Sequence, residues 1–307
     1  MVDHLATDLE APLVHIVILN WNGWPLTLEC LQTVEALDYP NYRVLVVDNG
    51  STDDSVARLK EASPTFELIE TGENLGFTGG CNVGITKALA QGAEFVLLFN
   101  NDAKAAPKML SRLVAAAVEA DAAICGARVM DEKGERILFA GRSWPAHIFG
   151  VESLFLHSSV NRWSLSDGVD GCSMLVRRDL LEKRLAESGH IFDPGFFMYC
   201  EETDFCRYGI TRGYDCIVSH EAIAYHGLAK SSGGCGNPRS YYYLTRNRIY
   251  LANRWLSLPW KIFFHLYYLP SRLLLQFRRA RAARAAVWHG LRDGYLGVKG
   301  IWEGHGG

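Results

Sequence analysis

The chain has no C-x-x-C pair, and its eight cysteines are scattered without the grouping a structural zinc needs. That excludes a zinc ribbon and a thioredoxin-type redox pair. Most of the eight sit in apolar or helical contexts, as free buried thiols of a reducing compartment do. No G-x-G-x-x-G follows any apolar run, so a dinucleotide dehydrogenase is not expected. Positive charge is not in excess either: the net charge is −3 over 307 residues, which supplies no global field toward nucleic acid or an anionic membrane. The opening M-V-D-H-L-A-T-D-L-E is acidic and lacks an apolar core, so no signal peptide is expected and a cytoplasmic location follows. There the sequon Asn49-Gly50-Ser51 would never meet the glycosylation machinery. What remains, 49% hydrophobic and 21% charged, is an ordinary globular composition, with chain enough for one large core or two modest ones.

The central stretch is residues 95–102, F-V-L-L-F-N-N-D. Five apolar residues in a row suit a strand buried on both faces, as in a parallel sheet. The run stops at Asn100-Asn101-Asp102, which reads either as a polar strand exit or as a ligand site beyond a strand's carboxyl end. Upstream, Val14 to Leu19 predicts a strand leading to Asn20-Trp21-Asn22-Gly23, and Pro25 opens a helix with Leu28, Leu31 and Val34 at helical spacing. Arg43 to Val47 is the next strand and runs into Asp48-Asn49-Gly50-Ser51, followed by a capped helix. A third strand, Glu67 to Glu70, leads to Glu73-Asn74-Leu75-Gly76-Phe77-Thr78-Gly79-Gly80, with a helix expected from about Asn82 to Ala90. Alternating strand and helix argue an α/β fold with a parallel sheet and right-handed crossovers. Its Asn-, Asp- and Gly-rich loops would converge on one sheet edge, and Gly76, Gly79 and Gly80 would let backbone N–H groups approach an anion. Each loop alone is ordinary turn chemistry; together they point to a nucleotide-like ligand.

In these motifs the chain resembles the family 2 glycosyltransferases, and within them the rhamnosyl- and galactofuranosyltransferase branch. The matching segments are I-L-N-W-N-G (18–23), V-V-D-N-G-S-T-D-D-S (46–55), N-L-G-F-T-G-G-C-N-V-G (74–84), L-L-F-N-N-D (97–102), V-D-G-C-S-M-L-V-R-R (169–178), F-D-P-G-F-F-M-Y-C-E-E-T-D-F-C-R (192–207) and Y-Y-Y-L-T-R-N-R (241–248). The resemblance covers roughly residues 13 to 250. It implies a GT-A fold, Rossmann-like and mostly parallel with helices on both faces, a nucleotide-diphosphate sugar donor, and inversion at the anomeric carbon. It also implies a divalent cation, Mg²⁺ or Mn²⁺, at an Asp-x-Asp-like motif. Here that motif is Asn100-Asn101-Asp102, so only its last position is a carboxylate, and an amide is a poorer ligand for a hard cation. The branch supplies a histidine partner, which His226 of A-Y-H-G matches; the alternative is a strand-end histidine with a satisfied hydrogen bond.

The resemblance likewise makes Glu202 the base that takes the proton from the acceptor hydroxyl, with Glu201 and Asp204 positioning the acceptor or Arg207. Without it, three acids in a helix first turn are explained by the helix dipole. Adjacent carboxylates repel, which raises the pKa of one member toward that of a useful base. Asp48 would accept a hydrogen bond from a pyrimidine. The donor site would comprise Asn20, Trp21, Asn22, Asp48, Asn49, Asn74, Gly76, Phe77, Gly80, Asn82, Asn100, Asn101 and Asp102, with Arg246 near the phosphates.

Elsewhere, Pro107 to Glu119 predicts a helix, Ile124 to Val129 a strand, and Asp131-Glu132-Lys133-Gly134 a hairpin turn to Arg136–Phe139. Residues 141–166, with Trp144, His147, His157 and Trp163, have no clear period and form a candidate acceptor loop or lid. Residues 255–284 are rich in Trp, Phe, Leu and Tyr, then in Arg, but Lys261, His265, Pro270, Arg272 and Gln276 interrupt any bilayer span. They read equally as an interfacial membrane helix, an oligomer interface, or a helix capping the catalytic domain. The expected division is a tail (1–12), a GT-A domain (13–250, with a donor half 13–103 and an acceptor half 104–250), and a C-terminal helical region (251–307). The expected activity is an inverting, metal-dependent transfer onto a cell-surface glycan or lipid-linked acceptor. The expected donor is dTDP-rhamnose, or alternatively a UDP-sugar such as UDP-galactofuranose. No nucleic-acid partner is expected. A homo-oligomer and a peripheral place on the inner membrane's cytoplasmic face stay open, as does a different class, a non-catalytic sugar-nucleotide-binding scaffold.

Overall fold

The computed structural model describes residues 11–62, 65–144, 161–227, 237–275, 281–302 and 304. The first half alternates as its sequence predicts: β1 (Val14–Asn20), α1 (Trp24–Glu35), β2 (Tyr42–Asp48), α2 (Ser55–Ala62), β3 (Glu67–Glu70), α3 (Gly76–Ala90) and β4 (Phe95–Asn100). Strands β1 to β4 pair in parallel in the order β3-β2-β1-β4. The order reverses beside β1, so a topological switch point lies between β1 and β4, the place where open α/β sheets open a crevice. Alternate residues of each strand enter different cores. Ile16, Ile18, Val44, Val46, Leu97 and Phe99 face one side with Leu31 and Val34 of α1. Val17, Leu45, Val47, Val96 and Leu98 face the other with Cys81 and Ile85 of α3. Burying a side chain of this size stabilises by about 1.5–3 kcal/mol, so this two-sided packing is what fixes the strands' register.

The second half extends the same sheet with β5 (Ala103–Ala105), α4 (Met109–Glu119), β6 (Ile124–Met130), β7 (Ile137–Phe139), β8 (Trp163–Leu165), β9 (Ser173–Arg177), α5 (Arg178–Ser188), α6 (Glu201–Ile210) and β10 (Cys216–His226). Strand β9 inserts antiparallel between β4 and β6, and β10 runs parallel to β6. Six strands (β1 to β4, β6 and β10) therefore run one way, while β9 and the short β5, β7 and β8 run against them. The expected hairpin at 131–134 is present, joining β6 to β7.

Three expectations shift. Helix α3 begins at Gly76 rather than Asn82, so the glycines expected in a loop form its first turns. Of segment 141–166, residues 145–160, with His147 and His157, lie outside the described residues, and its end forms β8 on the sheet edge. Helix α7 (Pro238–Trp255) runs through the expected boundary at 250. It is followed by α8 (Leu258–Leu275) and α9 (Arg281–Leu296), and α9 folds back so closely that Gly290 and Gly294 sit against Thr245 and Ile249 of α7. Among the described residues no helix is long and apolar enough to cross a membrane. The seven described cysteines are free and buried.

Candidate active site

At the switch point, buried polar side chains form one relay between the loops after β1, β2 and β4. Asn101 Nδ2 donates to Thr27 Oγ1 at 3.0 Å, and Thr27 Oγ1 donates to Asn20 Oδ1 at 2.8 Å. Asn20 Nδ2 donates to Asp48 Oδ2 at 2.8 Å, which also accepts from Ser51 Oγ at 2.6 Å. Ser51 N donates to Asp48 Oδ1 at 3.0 Å. An ionised carboxylate has about four accepting positions, and these three bonds leave one on Oδ1. Asn22, at φ 50°, accepts from Thr52 N and so closes the β1 loop onto the β2 loop. Trp21 stands beside them, 37% exposed, with the Arg239 guanidinium 5.5 Å from its ring centre. That leaves an aromatic face at the rim of a polar pocket.

The α3 side is fitted rather than open. Asn49 donates to Asn74 Oδ1 and Gly76 O and accepts from Leu75 N, while Asn74 Oδ1 accepts from Gly76 N. Asn49 is thus buried and its amide engaged, so the sequon cannot be modified as it stands. The glycines allow neighbouring groups to approach closely. A Cβ on Gly76 would lie 2.5 Å from Phe197 O, and one on Gly80 2.3 Å from Leu19 Cδ1. Phe77 packs against the core of that face. Asn82 exchanges two 2.8 Å hydrogen bonds with the Phe192 backbone, which ties α3 to the segment before the acid cluster.

Asp102 and His226 are 124 residues apart in sequence, and strand register joins them. In the β5–β10 pair His226 lies opposite Ala103, which sets its Nε2 3.0 Å from Asp102 Oδ1. Burial works against the imidazolium, but Asp102, followed by Asp170 and Glu132, outweighs that and holds the His226 pKa above its ordinary value. Asn100, by contrast, anchors the strand exit through its backbone, its N–H donating to Cys172 O and its carbonyl facing Cys30 Sγ. Among the described residues no third His, Cys, Asp or Glu completes a metal cluster. One carboxylate and one imidazole, finished by donor phosphate oxygens and water, is nonetheless a donor set that Mg²⁺ or Mn²⁺ accepts.

The acid cluster opens α6, and its three members have three different environments. Glu202 Oε1 accepts from Arg142 Nη1 at 3.0 Å and from Thr203 Oγ1 at 3.1 Å, and Arg142 also reaches Thr203 Oγ1. Burial disfavours the Arg142 charge, but Glu202 and Asp170 more than offset this. Glu201 turns inward: burial, then the Glu202 charge, push its pKa well above the carboxylate range, and its Oε2 has no hydrogen-bond partner. The Glu202 charge thus adds to burial in raising the Glu201 pKa. Asp204 accepts from Arg184 at 3.2 Å, Arg254 at 2.9 Å and Trp255 Nε1 at 2.7 Å. It does not meet Arg207, whose partners are Asp167 and the Trp144 ring.

Ahead of α6, Phe197, Tyr199 and Cys200 all have positive φ, at 63°, 65° and 74°. Left-handed backbone costs a non-glycine residue about 1–3 kcal/mol, so neighbouring structure must hold these three. Arg246, expected at the donor, is fully buried, and its guanidinium donates to the carbonyls of Gly195, Phe196 and Gly300. That is a correction: Arg246 is spent inside the fold, because a buried guanidinium needs its donors satisfied.

Sequence reasoning missed Arg142 and Asp170. Asp170 adjoins Gly171, whose Cβ position is 3.8 Å from Glu202 Cβ, and its charge acts on both His226 and Arg142. Its charge is therefore felt by both ion pairs. Its place in V-D-G-C-S, just before a buried strand, was the available signal. Arg142 had none, since its segment is aperiodic.

Comparison with known proteins bears on the family and the fold. The glycosyl transferase family 2 profile matches residues 15–185. An uncharacterized protein of Mycobacterium tuberculosis is 27% identical over 144 residues, which is 44% of this chain and 51% of that protein. The chain thus spans about half the length of the curated mycobacterial relatives it matches. The glycosyltransferase AglE of Haloferax volcanii is 25% identical over 227 residues, 71% of this chain and 70% of that protein. Among solved structures, the mannosyltransferase PcManGT of Pyrobaculum calidifontis, in complex with GDP-Man and Mn²⁺, superposes with TM-score 0.61 at 19% identity, covering 94% of this chain and 76% of that one. S. aureus TarS 1–349 with UDP-GlcNAc gives TM-score 0.62 at 14% identity, covering 93% and 81%. These structures share the GT-A fold with the switch-point sheet described above. With more than half of its length matched by the profile, and with that fold, the chain belongs to glycosyl transferase family 2.

Proposed function

We propose that this chain is an inverting glycosyltransferase that moves a sugar from a nucleotide-diphosphate donor to a hydroxyl of a glycan or lipid-linked acceptor. The observation that carries the reading is the convergence of two ion pairs, Asp102–His226 and Glu202–Arg142, around Asp170-Gly171 at the carboxyl ends of β4 and β10. The acceptor oxygen attacks the anomeric carbon as the bond from that carbon to the diphosphate breaks, with inversion. The hydroxyl proton passes to Glu202, and we place it on Oε2, the oxygen Arg142 does not hold. Asp102 and His226 would hold the divalent cation, which supplies Lewis-acid stabilisation of the departing diphosphate. The remaining lone pair of Asp48 and the Trp21 face suit a pyrimidine base, by hydrogen bond and by stacking. Rhamnose from dTDP-rhamnose is the first donor to test and UDP-galactofuranose the second. The donor half is 13–103 and the acceptor half 104–250.

The C-terminal region adds a partner: we propose peripheral contact with the cytoplasmic face of an anionic membrane through α8. Leu258 and Leu266 are 70% and 72% exposed, with Trp260, Ile262 and Phe263 beside them. Residues 222–292 hold none of the chain's 34 Asp and Glu residues but 12 of its 31 Lys and Arg residues. The net charge of −3 conceals this local excess, and exposed aromatic and aliphatic groups amid cations suit an anionic interface.

A thermal-shift and turnover panel of nucleotide sugars with and without Mn²⁺ tests the catalytic reading, because only ligands that bind the folded state raise Tm. Stabilisation and turnover by one donor support it; a chain that neither binds nor turns over any nucleotide sugar removes it in favour of a scaffold. For the membrane, Ile262→Asp with Leu266→Asp should abolish flotation with anionic vesicles while transfer to a soluble acceptor continues. Equal flotation of both forms, or a dimer that the substitutions dissolve, would overturn the membrane assignment.

A further inference from the structure

We infer that Arg246 and Asn247 of α7, closed by Gly300 of the C-terminal tail, are positioning residues that hold the left-handed segment before α6 and thereby aim Glu202; the role of Glu202 rests on the function proposed above. The segment Phe197–Cys200 contains three non-glycine residues at positive φ and leads directly into Glu201-Glu202. Its carbonyls are held one by one. Asn247 Nδ2 donates to Phe196 O at 3.0 Å and to Met198 O and Tyr199 O at 2.8 Å each. Phe197 O accepts from Thr78 N of α3, and Cys200 O from Asp204 N within α6.

The orientation of the Asn247 amide is itself fixed. Arg246 Nε donates to Asn247 Oδ1 at 2.9 Å, which turns Nδ2 toward the three carbonyls. Arg246 Nη2 reaches Gly195 O and Phe196 O, and Nη1 reaches Gly300 O at 2.6 Å. Gly300 N donates back to Gly195 O, so the tail and the segment are joined in both directions. Trp302, stacked on Tyr242 at 4.6 Å and donating its N–H to Tyr243 OH, pins the tail. Both Arg246 and Asn247 are fully buried. A planar fork and an amide hold several carbonyls in fixed geometry; the ammonium of Lys is a compact point charge without the fork's span, and Ala has no side-chain donor.

The test is hydrogen exchange of residues 196–204 together with steady-state kinetics. Asn247→Ala is expected to speed exchange of 196–204 at least tenfold, with β1 to β4 unchanged. It should also lower kcat tenfold or more, with the donor KM within twofold. Adding Cys200→Gly, which adopts positive φ without strain, should recover part of both losses. Arg246→Lys should act in the same direction and decides the matter if Asn247→Ala does not fold. Unchanged exchange of 196–204 in the folded variants would overturn the inference. So would a donor KM that rises in step with the loss of kcat, since that would put the pair at the donor. Should the parent chain transfer no sugar, the exchange result still stands or falls on its own, and only the function proposed above is struck.

Discussion

The two sides of the site are built differently. On the proposed donor side, Asn20, Thr27, Asp48, Ser51 and Asn101 satisfy one another in a continuous, largely buried relay that joins the ends of three neighbouring parallel strands through α1. On the acid side, Glu202 depends on Arg142 from a distant segment, Glu201 is buried with an unpartnered oxygen, and the backbone in front of both is strained. The proposed donor side is preformed by local turn chemistry and by polar groups that satisfy one another. The acid site holds unfavourable conformations and charge that other elements must secure, as sites of proton transfer often do. On the proposed roles, recognition would be placed by the sheet and reactivity by what packs on it.

The sharpest way to break this contrast is Glu202→Gln, which keeps the Arg142 contact through the amide oxygen but cannot take a proton. Turnover should fall by about 10²–10⁴-fold, the range for a general base, with donor affinity nearly intact. Near-normal turnover would move the base elsewhere. Asp102→Ala comes next: divalent-dependent stabilisation by the donor should vanish, read as a Tm gain that no longer responds to Mn²⁺, and binding that persists unchanged in chelator would end its ligand role. On the donor side, Thr27→Val is nearly isosteric yet leaves Asn20 Oδ1 and Asn101 Nδ2 without their shared partner. The expected loss is about 1–3 kcal/mol, at about 2–4 °C of Tm per kcal/mol, with kcat held and the donor KM raised. An unchanged Tm would show that the relay is not closed as described.

The same contrast explains what could be read from the chain. The parallel strands β1, β2 and β4 and their loops were legible because apolar runs, turn residues and a switch point are local or nearest-neighbour signals. The Asp102–His226 pair was reached only through resemblance, because β10 lies over a hundred residues beyond β5 and nothing in A-Y-H-G states its register. Arg246 was misplaced for a related reason. A cation in a Tyr-rich helix looks free for phosphate in sequence, and its saturation by the carbonyls of residues 195, 196 and 300 becomes visible only when the tail has folded back. Gly76 and Gly80 were recognised as sites of close approach, but the approaching groups are Phe197 and Leu19, which no short-range pattern could name.

The smallest effect is the most discriminating between adjacent acids. Glu201 has its pKa raised well above the ordinary value, first by burial and second by the Glu202 charge. Between the unfolded carboxylate pKa, about 4.3, and its raised folded value, the folded state binds the extra proton. Its contribution to stability is therefore present at low pH and is lost as pH rises through that window. Glu201→Gln replaces the acid by a neutral amide of the same shape and should remove this dependence. Its Tm should match that of the parent near pH 4.5 and exceed it by a margin that grows as pH rises to 7.5. Turnover should change little, in contrast to Glu202→Gln one position later. A Tm difference that does not grow with pH would mean Glu201 is not the member that carries the repulsion. A turnover loss as large as that of Glu202→Gln would show that the two acids act as one unit, and the division of labour within the cluster would be lost.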